Sequence, residues 1–321
     1  MRFLFLIVNN LCNINCSYCF YTTGYQKRSS LRIHQNKLSE FAAKIAQLKF
    51  DEVILTGGEP LHRKWKKETY VLIQELKKRR IKVILNTSAT FLQNKDFNKI
   101  IKLKVDRVDI SIDSHIPEIH NSQRGRYKDV VRTIKGLISR GYRNITTTTV
   151  VTEQNAPTLQ DTIRWLYKIG IDDIRIQRPF LPRRKDKLLD DKKDIISNAM
   201  KLAASQLNAP HLNEYLNLTE AAFKKNSRTL NKLKTIALCR MGKQYFICDA
   251  IGNLIPCFHR PDIKLGNLFR DSISTIKAML KNNELTNEKK LPECFGTYCV
   301  SLFDSPNFWR KKYGKNSGTS L

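Results

Sequence analysis

The chain has no apolar run of the roughly 18–20 residues needed to cross a bilayer. It is short of acid: 29 Asp and Glu stand against 57 Lys and Arg in 321 residues, a formal net charge of +28. Six histidines, at 34, 62, 115, 120, 211 and 259, show no metal-ligand spacing. There is no Ser/His/Asp constellation and no Gly-rich phosphate loop beyond one Gly-Gly pair. The opening MRFLFLIVNN carries only six apolar residues in a row and no small-residue cleavage site, so it reads as a first strand and not as a signal peptide. These absences argue against a membrane span, a triad hydrolase and a P-loop enzyme. They imply a cytoplasmic chain whose thiols stay reduced.

The basic excess bears on partners and not on fold. One reading is compositional drift in a chain rich in Lys, Asn and Ile. The other is an anionic or peptidyl partner: an acidic peptide, a phosphorylated metabolite or nucleic acid. The densest stretches are HRKWKK, KKRRIK and PRRKDK. None has the interleaved aromatics of an RNA-binding module, which weighs against nucleic acid.

Strand-like and helix-like patterns alternate through the first 180 residues. Strands are expected at 3–8, 51–57, 82–88, 106–113, 144–152 and 173–180, with helices at 34–49, 65–80, 93–103, 127–140 and 157–169. Gly141 and Gly170 fit as helix stops. Six such units imply an α/β fold, a partial (β/α)6 TIM-like barrel two units short of closure. The expected organisation is a barrel over 1–182, a charged helical connector over 183–235, a small cysteine-bearing domain over 236–303 and a basic tail over 304–321.

Three of the eight cysteines, Cys12, Cys16 and Cys19, crowd into LCNINCSYCF directly after the first strand. A closed zinc site needs four protein ligands, and an Fe–S cluster normally takes four thiolates. Three thiolates leave one iron with a vacant position, where a chelating small molecule can bind; a tri-thiolate zinc loop is the alternative.

This loop resembles that of the radical SAM enzymes: Cys-x3-Cys-x2-Cys after the first strand, with the aromatic Tyr18 before the last cysteine. LTGGEP, at 55–60, resembles the same family's Gly-Gly-Glu-Pro turn. The resemblance implies that Cys12, Cys16 and Cys19 hold a 4Fe-4S cluster whose fourth iron is chelated by S-adenosylmethionine. It implies that Gly57 and Gly58 let backbone approach that ligand, that Glu59 meets its ammonium, and that Pro60 stiffens the exit. Softer matches place Asn86 (in NTS), Ser111 and Asp113 (in SIDS) and Arg124 (in HNSQRG) around the cofactor. For Ser111 and Asp113 the alternative is a strand-end polar group satisfied by backbone; for Arg124 it is a structural ion pair.

Toward the C-terminus, Cys239 and Cys257, with Gly252 between them, resemble the opening of the SPASM/Twitch extension of that family. With Cys294 and Cys299 they make a four-thiolate set for one auxiliary 4Fe-4S cluster, or for a structural zinc. Cys248 is left over. It is a buried small hydrophobe, an alternative ligand, or a hydrogen-atom donor of the kind radical SAM epimerases use.

The resemblance implies cleavage of S-adenosylmethionine to a 5′-deoxyadenosyl radical, fed by a one-electron reductant such as flavodoxin or ferredoxin. The leading expectation is epimerisation of a peptide residue or sugar with Cys248 as donor. The second is a dehydrogenase or peptide cross-linking enzyme with the auxiliary cluster as electron acceptor. A non-catalytic Fe–S or zinc nucleic-acid-binding protein is the reading from another class.

Overall fold

The computed structural model describes residues 1–19, 31–33, 35–177, 198–199, 242–257 and 262–282. The expected connector apart from 198–199, the tail, and Cys239, Cys294 and Cys299 lie outside the described residues.

Six strands run parallel in chain order: β1 (Phe3–Asn9), β2 (Glu52–Gly57), β3 (Lys82–Thr87), β4 (Arg107–Ser111), β5 (Ile145–Val150) and β6 (Asp173–Gln177). Between them lie α1 (Leu38–Gln47), α2 (Lys66–Lys78), α3 (Asn94–Lys102), α4 (Pro117–Gln123), α5 (Tyr127–Ile138) and α6 (Leu159–Lys168). All the expected strands form. Strand β4 is shorter than expected because the Asp113 carboxylate, in place of a backbone carbonyl, takes the Val150 N–H at 3.0 Å. Helix α4 was not anticipated; it is two turns long and opens on Pro117, which suits a first helical position.

Gly141 and Gly170 close α5 and α6 with φ of 78° and 88°. Lys49, Arg80 and Lys104 do the same after α1, α2 and α3, at φ of 58°, 59° and 52°, despite their side chains. In each of these three, the next residue's N–H bonds back to a carbonyl of the helix's last turn: Phe50 to Ile45, Ile81 to Leu76, Val105 to Ile100.

Strand alternation divides the interior into two cores. Leu4, Leu6 and Val8 join Val53, Leu55, Val83 and Leu85 against Phe41, Ile45, Leu72, Leu76 and Ile134 of the helices. Phe3 and Ile7 point the other way, with Ile54, Ile84, Tyr245, Ile247 and Cys257, into the concave face of the sheet.

The C-terminal hairpin belongs to this same sheet. Strand β7 (Tyr245–Cys248) pairs parallel with β1, Phe3 opposite Tyr245 and Leu6 opposite Cys248, and β8 (Leu254–Ile255) returns antiparallel to it. The sheet order is β6-β5-β4-β3-β2-β1-β7-β8. Among the described residues, those after 235 share the cores of the barrel. Phe246 meets Phe50 edge-on, and Phe269 stacks on Phe41 of α1 with ring centroids 4.8 Å apart. Helix α7 (Ile273–Lys281) buries Ile276 and Leu280 in the helix-side core and is capped by Ser272, whose Oγ accepts the Thr275 N–H. The Gly252 turn, at φ of 87°, closes on Phe269 and Asn267, where a Cβ would lie 2.4 Å from the Phe269 ring.

Because Phe246 is 1% exposed, Phe246→Ala costs about 3–5 kcal/mol. Urea unfolding followed by both fluorescence and circular dichroism is expected to shift as one transition. A hairpin that melts alone, leaving the barrel midpoint in place, would contradict the shared core.

Candidate active site

The cysteine loop leaves the end of β1 and is fastened on two sides. On the first, the Gly58 N–H donates to Asn9 O at 2.8 Å and the Glu59 N–H to Leu11 O at 2.6 Å. Asn9, 1% exposed, donates through Nδ2 to Glu59 O and accepts the Leu11 N–H on Oδ1, both at 2.9 Å. The two glycines make this approach possible. A Cβ on Gly57 would fall 2.3 Å from Asn9 O, and one on Gly58 2.0 Å from Leu11 O. In the structure the two glycines admit the backbone of residues 9–11.

On the second side, the end of α4 holds the loop. The Ser17 N–H donates to Gln123 O at 3.0 Å. Arg124 donates from Nε to Asp113 Oδ2 at 2.7 Å and from Nη1 to Cys16 Sγ at 3.8 Å. Its guanidinium carbon lies 5.2 Å from the Tyr18 ring centroid, and the Tyr18 hydroxyl donates to the same Asp113 oxygen. Burial pushes the Tyr18 phenol well above its ordinary pKa, so it stays a donor. Burial alone would lower the Arg124 pKa; Asp113, Tyr18 and Cys16 more than reverse this and keep it charged.

Glu59 is 1% exposed and its carboxylate is fully subscribed. Oε1 accepts from the Leu61 N–H at 2.9 Å and from Thr87 Oγ1 at 2.7 Å; Oε2 accepts from Ser88 N and Oγ at 2.7 and 2.5 Å. A carboxylate offers about four acceptor positions, and here the turn and the end of β3 meet all four. Burial raises its pKa, opposed by the bonds from Ser88, Thr87 and Leu61. Pro60 is buried, and its carbonyl accepts Thr69 Oγ1 of α2 at 2.6 Å.

The residues expected around the cofactor therefore separate. Asp113 (0% exposed), Arg124, Tyr18 and Glu59 are tied to one another or to the loops. Asn86 and Ser111, half-buried, remain at the open end of the concave face, where Asn86 Nδ2 approaches Thr56 Oγ1 at 3.5 Å. Asn155 is buried at the same end, giving Nδ2 to Asp113 O and Val150 O, both at 2.9 Å. The sequence reading missed Asn9, Ser88 and Gln123. Only Asn9 had a visible signal, a polar residue closing an apolar strand just before the cysteines.

Cys248, the expected hydrogen-atom donor, lies in the interior. It is 0% exposed and, with Phe246 and Leu6, faces the helix-side core, where burial raises its thiol pKa. The hairpin cysteine on the concave face is Cys257.

The loop's donor set fits a thiolate-bound cluster. Arg124 sets a cation on Cys16. Inside the loop both side-chain polar atoms of Asn13 are buried and unpartnered among the described residues, leaving hydrogen bonds that a sulfide-bearing group can meet. Among the described residues no three Cys, His, Asp or Glu side chains converge as ligands of one ion; a cluster that takes one thiolate per iron does not ask them to.

Parallel βα units with a tri-thiol loop at the strand ends define the class. Residues 6–166, half of the chain, match the radical SAM superfamily, and the chain belongs to it. Sporulation killing factor maturation protein SkfB of Bacillus subtilis (strain 168) is 25% identical over 308 residues, covering 94% of this chain and 70% of that one. The chain spans 66%, 54% and 44% of the first three curated relatives it matches, the last two being probable GTP 3′,8-cyclases of Methanococcus aeolicus and Methanocaldococcus jannaschii. Streptococcus suis SuiB bound to precursor peptide SuiA shares the fold at a TM-score of 0.66 and 14% identity, over 89% of this chain and 66% of that one. AdoMet-bound anSMEcpe does so at 0.64 and 17%, over 88% and 82%. No helix among the described residues is long and apolar enough to cross a membrane.

Two outcomes follow from this geometry. Arg124→Gln leaves Asp113 buried without its cation and costs about 3–5 kcal/mol in thermal unfolding. His120, 0% exposed, accepts the Asp113 N–H on Nδ1, and burial lowers its pKa from 6.5 to about 4. The unfolded chain then takes up this proton first as pH falls. His120's contribution is whole above pH 6.5 and is lost toward pH 4, by up to about 3 kcal/mol. Urea titrations across that range should show the slope, and His120→Asn should flatten it.

Proposed function

We propose that this chain is a radical SAM enzyme that modifies a peptide, by oxidation or cross-linking. One observation carries the reading: a three-cysteine loop zipped by backbone hydrogen bonds to a Gly-Gly-Glu-Pro turn at the ends of β1 and β2. When bound, a 4Fe-4S cluster with S-adenosylmethionine supplies a 5′-deoxyadenosyl radical able to take an unactivated hydrogen atom. The chain's own role is to hold and shield. Cys12, Cys16 and Cys19 would ligate the cluster, Arg124 sets Cys16, and Glu59 fixes the turn to Thr87 and Ser88. Asn86 and Ser111 are the polar groups left open toward a nucleoside.

A peptide substrate is supported by the relative named as a maturation protein, which aligns with nearly the whole chain, and by the neighbour bound to a precursor peptide. The buried, helix-side position of Cys248 weighs against epimerisation through that thiol. Cys239, Cys257, Cys294 and Cys299 remain the proposed ligands of an auxiliary cluster. A nucleotide substrate is the second reading, favoured by the relatives named as probable GTP 3′,8-cyclases, whose matches cover 50% and 43% of this chain.

Anaerobic reconstitution with iron, sulfide and a reductant should yield about eight irons per chain and 5′-deoxyadenosine from S-adenosylmethionine. Replacing Cys12, Cys16 and Cys19 by Ala should halve the iron and abolish the nucleoside. Stoichiometric zinc without cleavage of S-adenosylmethionine would overturn the reading.

A further inference from the structure

Six non-glycine residues among those described have positive φ. Lys49, Arg80 and Lys104 end helices, which accounts for them. Ala89 (φ 59°), Phe91 (58°) and Arg126 (64°) do not, and they gather at one place. Side-chain-bearing residues rarely adopt this conformation, and where it persists the surroundings hold it for a reason.

That place is the rim of the site. Phe91, half-buried in the loop after β3, has the guanidinium carbon of Arg126 at 4.2 Å from its ring centroid and that of Arg63 at 5.5 Å. Arg132 donates to Leu92 O at 3.0 Å. The three loops that build the inner site each supply one member of this outer group. The loop of Glu59 carries Arg63; that of Ser88 carries Phe91; that of Arg124 carries Arg126. Phe91 is three residues from Ser88, so the rim lies within about 11 Å of Glu59's partner along the chain.

One carboxylate serves two of the guanidiniums here. Asp129 pairs with Arg126 at 2.5 Å and with Arg132 at 3.0 Å, while their side chains stay 47% and 56% exposed. Asp129 takes the Nε and Nη2 edge of Arg126, which leaves its Nη1 edge for another acceptor. Arg63 and Lys64, both exposed, have no carboxylate partner among the described residues. A guanidinium laid on a ring keeps its plane fixed and offers N–H pairs edgewise, the geometry that a carboxylate accepts bidentately. Base stacking needs an open aromatic face, and Phe91's surroundings already hold two guanidiniums. The arrangement suits Asp or Glu side chains better than nucleobases.

We propose that Arg63, Phe91 and Arg126 form a docking site for an acidic segment of the peptide substrate, beside the mouth of the active site. The assignment deepens the peptide reading above and rests on it. The left-handed backbone at Phe91 and Arg126 sets the ring and the guanidinium in register before any peptide arrives.

The test uses the full chain and two fluorescein-labelled probes in anisotropy titrations: a twelve-residue Asp/Glu-rich peptide and a twelve-nucleotide single-stranded DNA. Arg63→Ser with Arg126→Ser is expected to weaken peptide binding about tenfold, the loss of two charge-assisted contacts. Phe91→Leu should weaken it less. Lys99→Ser with Lys102→Ser, on the exposed surface at the far end of α3, should change it less than twofold. Equal losses in the two double variants would reduce the effect to net charge and overturn the site. So would DNA binding as tight as the peptide's with the same dependence on Arg63 and Arg126. Circular dichroism of each variant checks that it is folded. 5′-Deoxyadenosine formation by the unmodified protein is measured separately. Its failure would sink the enzyme reading and leave the binding result standing, whereas peptide binding without rim dependence would sink only the rim.

Discussion

Everything at the catalytic end of this barrel depends on two backbone segments lying closer than side chains allow. The turn after β2 presses against residues 9–11 until a Cβ on either glycine would collide with a carbonyl oxygen. Two N–H donors of the turn then satisfy the carbonyls of Asn9 and Leu11, and the Asn9 amide closes the remaining gap. The start of the cysteine loop is thereby set by strand geometry and not by its own conformational preferences. A loop of this length would otherwise have to be ordered at an entropic cost of about 1–2 kcal/mol per residue.

From that contact outward, the site is organised by charge. Glu59 is buried where a lone carboxylate would be costly, and it is stable there because four donors from two loops meet it. Arg124 and Asp113 repeat the arrangement on the other side of the loop, with Tyr18 as a third partner. These groups look like ligand contacts in the sequence because they are polar, clustered and at strand ends. In the structure they also fasten the loops to one another, while Asn86 and Ser111 stay half-buried. Rigid fastening is what a site needs to keep a reactive intermediate from water and from the protein itself.

Much of this was legible beforehand. The βα alternation showed because buried parallel strands carry unbroken apolar runs, FLFLIV in β1 and VIL in β3, while the helices between them carry their apolar residues at three- and four-residue spacing. The cysteine loop and the turn were visible as motifs. What could not be read was the direction of each side chain's second-best option. Glu59 could serve an ammonium or Ser88 and Thr87; the choice depends on where β3 ends relative to β2, a register of strands some 25 residues apart in sequence. Cys248 posed the same difficulty. Alternation put it on one face of its strand with Phe246, yet only the parallel pairing of β7 with β1 says which face is the core. Helix α4 was hidden because PEIHNSQ has too few apolar residues to show a period.

That pairing also changes how the C-terminal region relates to the chemistry. A hairpin hydrogen-bonded to β1 extends the same concave wall that holds the cysteine loop, with Tyr245, Ile247 and Cys257 continuing the row of Phe3 and Ile7. Any group held by Cys257 is therefore anchored to the strand from which Cys12 departs, through a ladder of backbone hydrogen bonds instead of a flexible linker. The β8–β7–β1 ladder fixes the separation between Cys257 and the strand that leads into Cys12. In a separate, loosely tethered domain that separation would vary with every interdomain motion. The shared sheet thus makes the β1–β7 pairing the link between the hairpin cysteine Cys257 and the strand that leads into the cysteine loop.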